Sequence, residues 1–235
     1  MSRKLEVCLS PALIAHYQTE GRIVVVIDIF RATSSICYGF ENGALEIIPV
    51  ASVDECKSYA DKGYLLAAER NGEVVEGFDF GNSPFSYTKE KVSGKKIVLT
   101  TTNGTHAINE AKGADKIVVG SFLNLESLSN WLRLQSQDVL LLCSGWKMKF
   151  NLEDTLFAGA LVKNIKSDFS KLCDAAVASE DLYEKAQGNL REYLYKSSHS
   201  QRLKELNIEE DIRFCLNHNI CKVIPILDGN RLISM

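Results

Sequence analysis

Asp28 and Arg31 lie three residues apart, directly after the β-branched run Ile-Val-Val-Val-Ile at 23–27 and directly before Ala32-Thr33-Ser34-Ser35. A carboxylate can hold a hard cation, and a guanidinium can grip a phosphate-like oxyanion. The small hydroxyl-bearing run suits the mouth of a helix, whose unpaired N–H groups attract anions. Together they predict a site for a metal and an anionic substrate. The structural alternative is that Asp28 caps the helix and Arg31 pairs with a surface acid.

Three other clusters could join them. Glu69 and Arg70 are adjacent, and would otherwise be an exposed ion pair worth less than about 1 kcal/mol. The run Thr100-Thr101-Thr102-Asn103-Gly104-Thr105 offers hydroxyl and backbone donors suited to a phosphate or sulfonate, or else is simply a capped turn. Ser144-Gly145-Trp146-Lys147 with Met148 and Lys149 supplies further cations. Asp79 and Asn82 stand in a Gly- and Pro-containing stretch, 73–88, read as a functional loop. Asp79 could equally fix a turn, and Glu153 and Asp154 could equally favour a helix dipole.

Familiar hydrolase signatures fail on these residues. Asp28-Ile29-Phe30 begins like the D-x-D of an aspartyl-phosphate nucleophile, but Phe30 replaces the second acid. Cys143 to Lys149 has the spacing of a C-x5-R cysteine phosphatase, yet it ends in Lys, which lacks the planar fork of Arg. Neither G-x-x-x-x-G-K-[ST] nor H-E-x-x-H occurs. Of His16, His106, His199 and His218, only His106 adjoins a candidate cluster, and it also reads as an ordinary surface histidine.

These residues need a scaffold that brings strand ends together. The unalternating run at 23–27 suits a strand buried on both faces, in the middle of a parallel sheet whose ligands collect beyond the carboxyl ends. Strands are predicted at 4–9, 22–29, 45–50, 64–68, 96–100, 116–119, 138–143 and 223–227. Helices are predicted at 34–41, 53–61, up to about 112 after the threonine run, and 124–134. A further helix after Asn151 is apolar nearly all round from 155 to 162, and so predicted to be buried. Asp228-Gly229-Asn230 reads as a tight turn into a closing hairpin. The expected class is α/β, a three-layer α/β/α unit spanning 1–235 with a mostly parallel or mixed central sheet and a helical segment near 168–218.

A net charge of −3 and the absence of any Lys/Arg block argue against nucleic acid as a partner. No apolar run reaches membrane-spanning length, and the N-terminus has no apolar core of a signal peptide, so a cytoplasmic location is expected. The seven cysteines include no C-x-x-C pair and read as reduced thiols. A homodimer is compatible with this chain, and the sequence does not decide it.

Val26-Ile27-Asp28-Ile29-Phe30-Arg31-Ala32-Thr33, Ala68-Glu69-Arg70-Asn71-Gly72 and Gly77-Phe78-Asp79-Phe80-Gly81-Asn82-Ser83-Pro84 resemble the 2-phosphosulfolactate phosphatase (ComB-like) family. So do Thr100 to Thr105, Gly120 to Asn124, Cys143 to Lys147, Leu152-Glu153-Asp154, Ser198-His199-Ser200-Gln201-Arg202 and Glu210 to Cys215. The resemblance spans nearly the whole chain. It implies a Mg²⁺-dependent phosphatase of α/β/α build that converts 2-phospho-3-sulfolactate to 3-sulfolactate and phosphate, a step of coenzyme M biosynthesis. On that reading Arg31, Arg70, Lys147 and the threonine turn answer the substrate's charges, with Asn82 beside them. Asp28 is the first metal ligand, Glu69 and Asp79 the next, and whether Asp28 instead attacks phosphorus is open. Met148 departs from the pattern, where a smaller residue such as Gly is expected. Two rivals are an isochorismatase-like cysteine hydrolase and a non-catalytic anion-binding module.

Overall fold

The computed structural model describes residues 3–70, 73–206 and 208–235. Met1-Ser2 and the Asn71-Gly72 that follow Arg70 therefore lie outside the described residues. The sheet is built from β1 (Lys4–Cys8), β2 (Arg22–Ile27), β3 (Glu46–Pro49), β4 (Leu65–Arg70), β5 (Glu73–Val74), β6 (Lys96–Thr100), β7 (Lys116–Gly120), β8 (Asp138–Cys143), β9 (Lys171–Leu172), β10 (Pro225–Asp228) and β11 (Arg231–Ser234). Its order is β5-β4-β6-β3-β11-β10-β7-β2-β8-β1-β9. Two parallel blocks, β9-β1-β8-β2-β7 and β3-β6-β4, are joined by the C-terminal hairpin, which pairs antiparallel to both.

Strand β2 is buried throughout, and its residues alternate between two cores. Ile23, Val25 and Ile27 face helices α5 (Leu125–Arg133), α6 (Leu152–Ile165) and α7 (Asp174–Ala186), whereas Val24 and Val26 face α1 (Ala32–Glu41) and α4 (Gly104–Glu110). Helix α2 (Val53–Lys57) covers the outer face of β3, β4 and β6 through Cys56, Ile48, Leu66 and Val98, and the single turn α3 (Lys89–Val92) leads into β6. The result is the expected α/β/α arrangement.

The hairpin decides how strand ends meet. Three successive antiparallel ladders formally reverse β6 relative to β2. Five ladder steps would hold the two strands about 24 Å apart in a flat sheet. Yet Asp28 and Gly104, each just beyond its strand, are in contact. Twist of about 20–25° per neighbour turns β6 by more than 100° over those steps, leaving an acute crossing. Curling then wraps both blocks around α1 and α4, whose Ile36, Phe40, Ala107 and Ile108 share one core with Val24, Val26, Ile97 and Leu99.

Several expected elements differ in detail. The stretch 73–88 is not wholly a loop, because Glu73 and Val74 pair with Arg70 and Glu69. The helical stretch near 168–218 contains α7, α8 (Leu190–Leu194), α9 (Ser198–Glu205) and α10 (Glu209–Cys215), but it also carries edge strand β9. Asn124 holds the N-cap position of α5, as expected, but its side chain makes no capping bond to that helix. Its side chain accepts from Ser121 N and donates to the carbonyls of Val119 and Val223, tying β7 to the chain that enters the hairpin.

Candidate active site

The chain leaves β2 through a clasp of its own hydroxyls. Thr33 N and Oγ1 donate to Asp28 O, Asp28 N donates to Thr33 Oγ1, and Ser34 Oγ donates to Ile29 O. The carboxylate of Asp28 accepts from Ala32 N–H, so Asp28 itself occupies the mouth of α1. It therefore caps the helix and faces the site at once. Burial pushes its carboxyl up to about 7, opposed by nearby His199 and assisted by Glu69 and Glu153. Gly104 is a glycine for a local reason: a Cβ there would stand 2.9 Å from Asp28 Oδ2 and 2.8 Å from Ala32 Cβ. Only a bare Cα lets α4 begin against the acid.

Glu69, at the end of β4, is buried beside Asn82, whose Nδ2 lies 3.5 Å from Glu69 Oε2. Arg70 donates to Glu69 O and to Thr100 Oγ1, which joins the ends of β4 and β6. Most of the threonine turn is committed to itself. Thr105 N donates to Thr101 Oγ1, Thr101 N donates to Thr105 Oγ1, and Thr105 Oγ1 donates to Thr101 O. Thr102 Oγ1 is the hydroxyl oxygen of this turn that is buried without a partner. Asp79 stands apart. It accepts from Leu66 N at 2.7 Å, three residues before Glu69 and about 10 Å back along β4, and thereby fixes the return of the loop.

The third cluster is a type I′ turn. Trp146 and Lys149 exchange backbone hydrogen bonds of 2.9 and 3.0 Å around Lys147 at φ 49° and Met148 at φ 63°. Both central residues are left-handed, the conformation that favours Gly, which accounts for the small residue expected at 148. Asn103 Oδ1 accepts from Lys147 N, and Met148 O accepts from Ser10 Oγ, so the turn is fastened to two strand ends. Asp154 organises its base: its carboxylate accepts from Ile29 N, Gly145 N and Asn151 Nδ2. Asn151 Oδ1 caps α6 through Asp154 N, as expected.

Glu153 and Asp154 are fully buried, which goes beyond a favourable helix dipole. Glu153 Oε1 meets His199 Nδ1 of α9. The His199 ring lies between Phe30 and Trp146, with centroids at 6.0 and 5.6 Å. Arg202, one turn on, stacks over Trp146 at 3.5 Å. His199 and Arg202 were absent from the expected site, although both stand in the motif Ser198 to Arg202. His106, beside the threonine turn, lies half-exposed near Glu110 on the helix surface, in keeping with the ordinary surface histidine. Arg31 is buried and ion-paired to Asp211 of α10, which also accepts from Ser83 Oγ.

Of the six buried side-chain atoms without a hydrogen-bond partner among the described residues, four are Asn82 Oδ1, Thr102 Oγ1, Ser144 Oγ and Glu153 Oε2. All four stand at or beside the strand ends that surround Asp28. No group of three or more His, Cys, Asp or Glu suited to a metal occurs among the described residues. A hard cation that keeps its waters needs only one or two carboxylates. Asp28 and Glu69, close enough to raise the former's pKa, with the orphan amide oxygen of Asn82, fit such an ion chemically. Cys143 is fully buried, and burial holds its thiol well above the ordinary range. All seven cysteines are free thiols.

A sequence model of the family described as 2-phosphosulpholactate phosphatase matches residues 8–230. A protein named probable 2-phosphosulfolactate phosphatase from Thermotoga petrophila is 43% identical over 208 residues, covering 88% of this chain and 90% of the relative. The like-named protein of Caldanaerobacter subterraneus is 40% identical over 210 residues, covering 87% of each chain. That of Clostridium botulinum is 32% identical over 238 residues, covering 99% of this chain and all of the relative.

Proposed function

We propose that this chain, which belongs to the 2-phosphosulpholactate phosphatase family, is a Mg²⁺-dependent phosphoric monoester hydrolase acting on 2-phospho-3-sulfolactate or a closely similar phosphorylated acid. The observation that supports this most directly is the set of partnerless buried oxygens on residues at or beside the strand ends that carry Asp28 and Glu69. Such atoms are costly unless a ligand, an ion or water completes them.

Asp28 and Glu69 would hold the cation, with Asn82 Oδ1 beside them. When bound, Mg²⁺ supplies charge neutralisation at the phosphoryl oxygens and a more acidic water. The chain's own residues do the rest. The clasp of Thr33 and Ser34 and the three donors on Asp154 fix Asp28 and the Gly145 turn relative to each other. Lys147 and the Thr102 hydroxyl provide positive charge and a hydrogen bond to the phosphate as the ester P–O bond breaks. Phe30 and Trp146 pack on the His199 ring and would limit water on that side of the reacting group. Water ends on phosphorus, and the hydroxy acid leaves with the bridging oxygen and a proton.

The test is phosphate release from a panel of small phosphorylated acids, with Mg²⁺ or with excess chelator. Turnover with Mg²⁺, its loss on chelation and its return on adding the metal back are expected. Full activity in chelator would overturn the metal assignment, and inertness toward every phosphate ester would overturn the reaction. The buried Cys143, held protonated, supplies no thiolate for the cysteine-hydrolase alternative.

A further inference from the structure

We propose that Arg202 determines substrate choice at this site by binding a second oxyanion of the substrate, its sulfonate, remote from the phosphate. The proposal rests on the phosphatase reading above and adds a residue that the strand-end clusters do not contain.

The cations near the site differ in whether their donors are engaged. Arg31 is held by Asp211, and Arg70 by Glu69 O and Thr100 Oγ1. Arg202 makes no hydrogen bond and no ion pair among the described residues, although it is only partly exposed. Burial pulls its guanidinium below the usual range, and Glu153 and Glu69 oppose that shift from a distance. A partly desolvated fork of five N–H donors without a counter-ion is an anion site waiting for its anion.

Its placement is built. The Arg202 plane lies 3.5 Å over the Trp146 ring, and stacking of this kind covers the guanidinium face while leaving its N–H edges free. Lys147 Nζ lies 5.2 Å from the centre of the same ring. The helix carrying Arg202 is anchored one turn earlier, where His199 meets fully buried Glu153 and its ring packs beside Trp146. Residues three apart share a helix face, so the anchor and the reader point to the same indole. The indole thus holds the Arg202 guanidinium on the turn that also carries Lys147. A substrate without a second oxyanion would leave the Arg202 fork unanswered.

The experiment compares kcat/KM for 2-phospho-3-sulfolactate and for 2-phospholactate, which lacks the sulfonate, in wild type, Arg202→Lys and Arg202→Gln. A charge-assisted contact predicts a wild-type preference of about 10- to 100-fold for the sulfonated ester. Arg202→Gln should shrink that ratio at least tenfold, and Arg202→Lys should retain part of it. An unchanged ratio, with both substrates falling together, would overturn the proposal, because a purely structural role lowers both alike. A parallel titration reads Trp146 fluorescence in a Trp131→Phe background, using 3-sulfolactate and lactate as probes. Tighter binding of sulfolactate that Arg202→Gln abolishes supports the anion site, and equal binding of the two probes overturns it. If the wild type hydrolyses neither ester yet shows the Arg202-dependent binding, the reaction assignment fails and the anion site stands.

Discussion

Asp28 combines two duties that usually fall to different residues, since it caps α1 and presents a carboxylate to the site. The folded protein keeps its proton up to about pH 7, whereas an ordinary Asp releases it near 3.8. Between those values the folded state binds more protons than the unfolded one, so stability falls as pH rises through that window. Below 3.8 the difference vanishes. In chelator, Asp28→Asn should therefore raise Tm by about 3–8 °C at pH 7.5 and by less at pH 5, measured by calorimetry. The same change should lower kcat by about two orders of magnitude or more in the phosphate-release assay with Mg²⁺. A variant less stable than wild type at pH 7.5 would refute the buried-charge account. Cys143 has the opposite character, a thiol used as a small apolar group at the end of β8. Cys143→Ala should keep most of the turnover and lose about 1 kcal/mol of stability. A folded but inert variant, with a trapped thiol adduct in wild type, would revive the cysteine-hydrolase alternative.

At the scale of elements, the site depends on a helix that is buried nearly all round. Helix α6 supplies Glu153 and Asp154 from its first turn, and α7 packs closely along it. That packing is set by Gly159: a Cβ there would stand 1.9 Å from Ser179 O, a backbone atom that cannot swing aside. Gly159→Ala should force the helices apart and lower unfolding free energy by about 3 kcal/mol, read by urea denaturation. Activity should fall with it, because moving α6 moves the Glu153 contact that holds His199. An alanine variant with an unchanged midpoint would show that the two helices can slide without cost.

At the scale of the whole molecule, the last strands of the chain lie in the middle of the sheet. Ile226 of β10 pairs with Val118 of β7, and Leu232 of β11 pairs with Ile47 of β3. Removing residues 225–235 would open two strand edges inside the core and separate the block that carries Asp28 from the block that carries Glu69 and the threonine turn. The truncated protein should lose its near-ultraviolet circular dichroism and its cooperative melt. A truncation that keeps Tm and turnover would show that the blocks dock without the hairpin. No helix among the described residues is long and apolar enough to cross a membrane.

Local chemistry made much of this legible from the sequence. The run at 23–27 has no polar face to show solvent, so it had to be a strand covered on both sides, and β2 is buried throughout. Asn151 before an almost wholly apolar stretch had to start a buried helix, and Asp228-Gly229-Asn230 had to turn, with Gly229 at φ 63°. The small residue expected at 148 marks a backbone preference that Met148 meets at φ 63°. What composition and spacing could not carry are pairings between distant parts of the chain. Arg31 meets a partner 180 residues on, and Glu153 meets His199 46 residues on. The Thr101 and Thr105 hydroxyls are engaged with each other's backbone, although their types alone suit an anion. Whether a cation or hydroxyl is free for a ligand depends on what packs against it. That is settled only when the late hairpin and the C-terminal helices close over the strand ends.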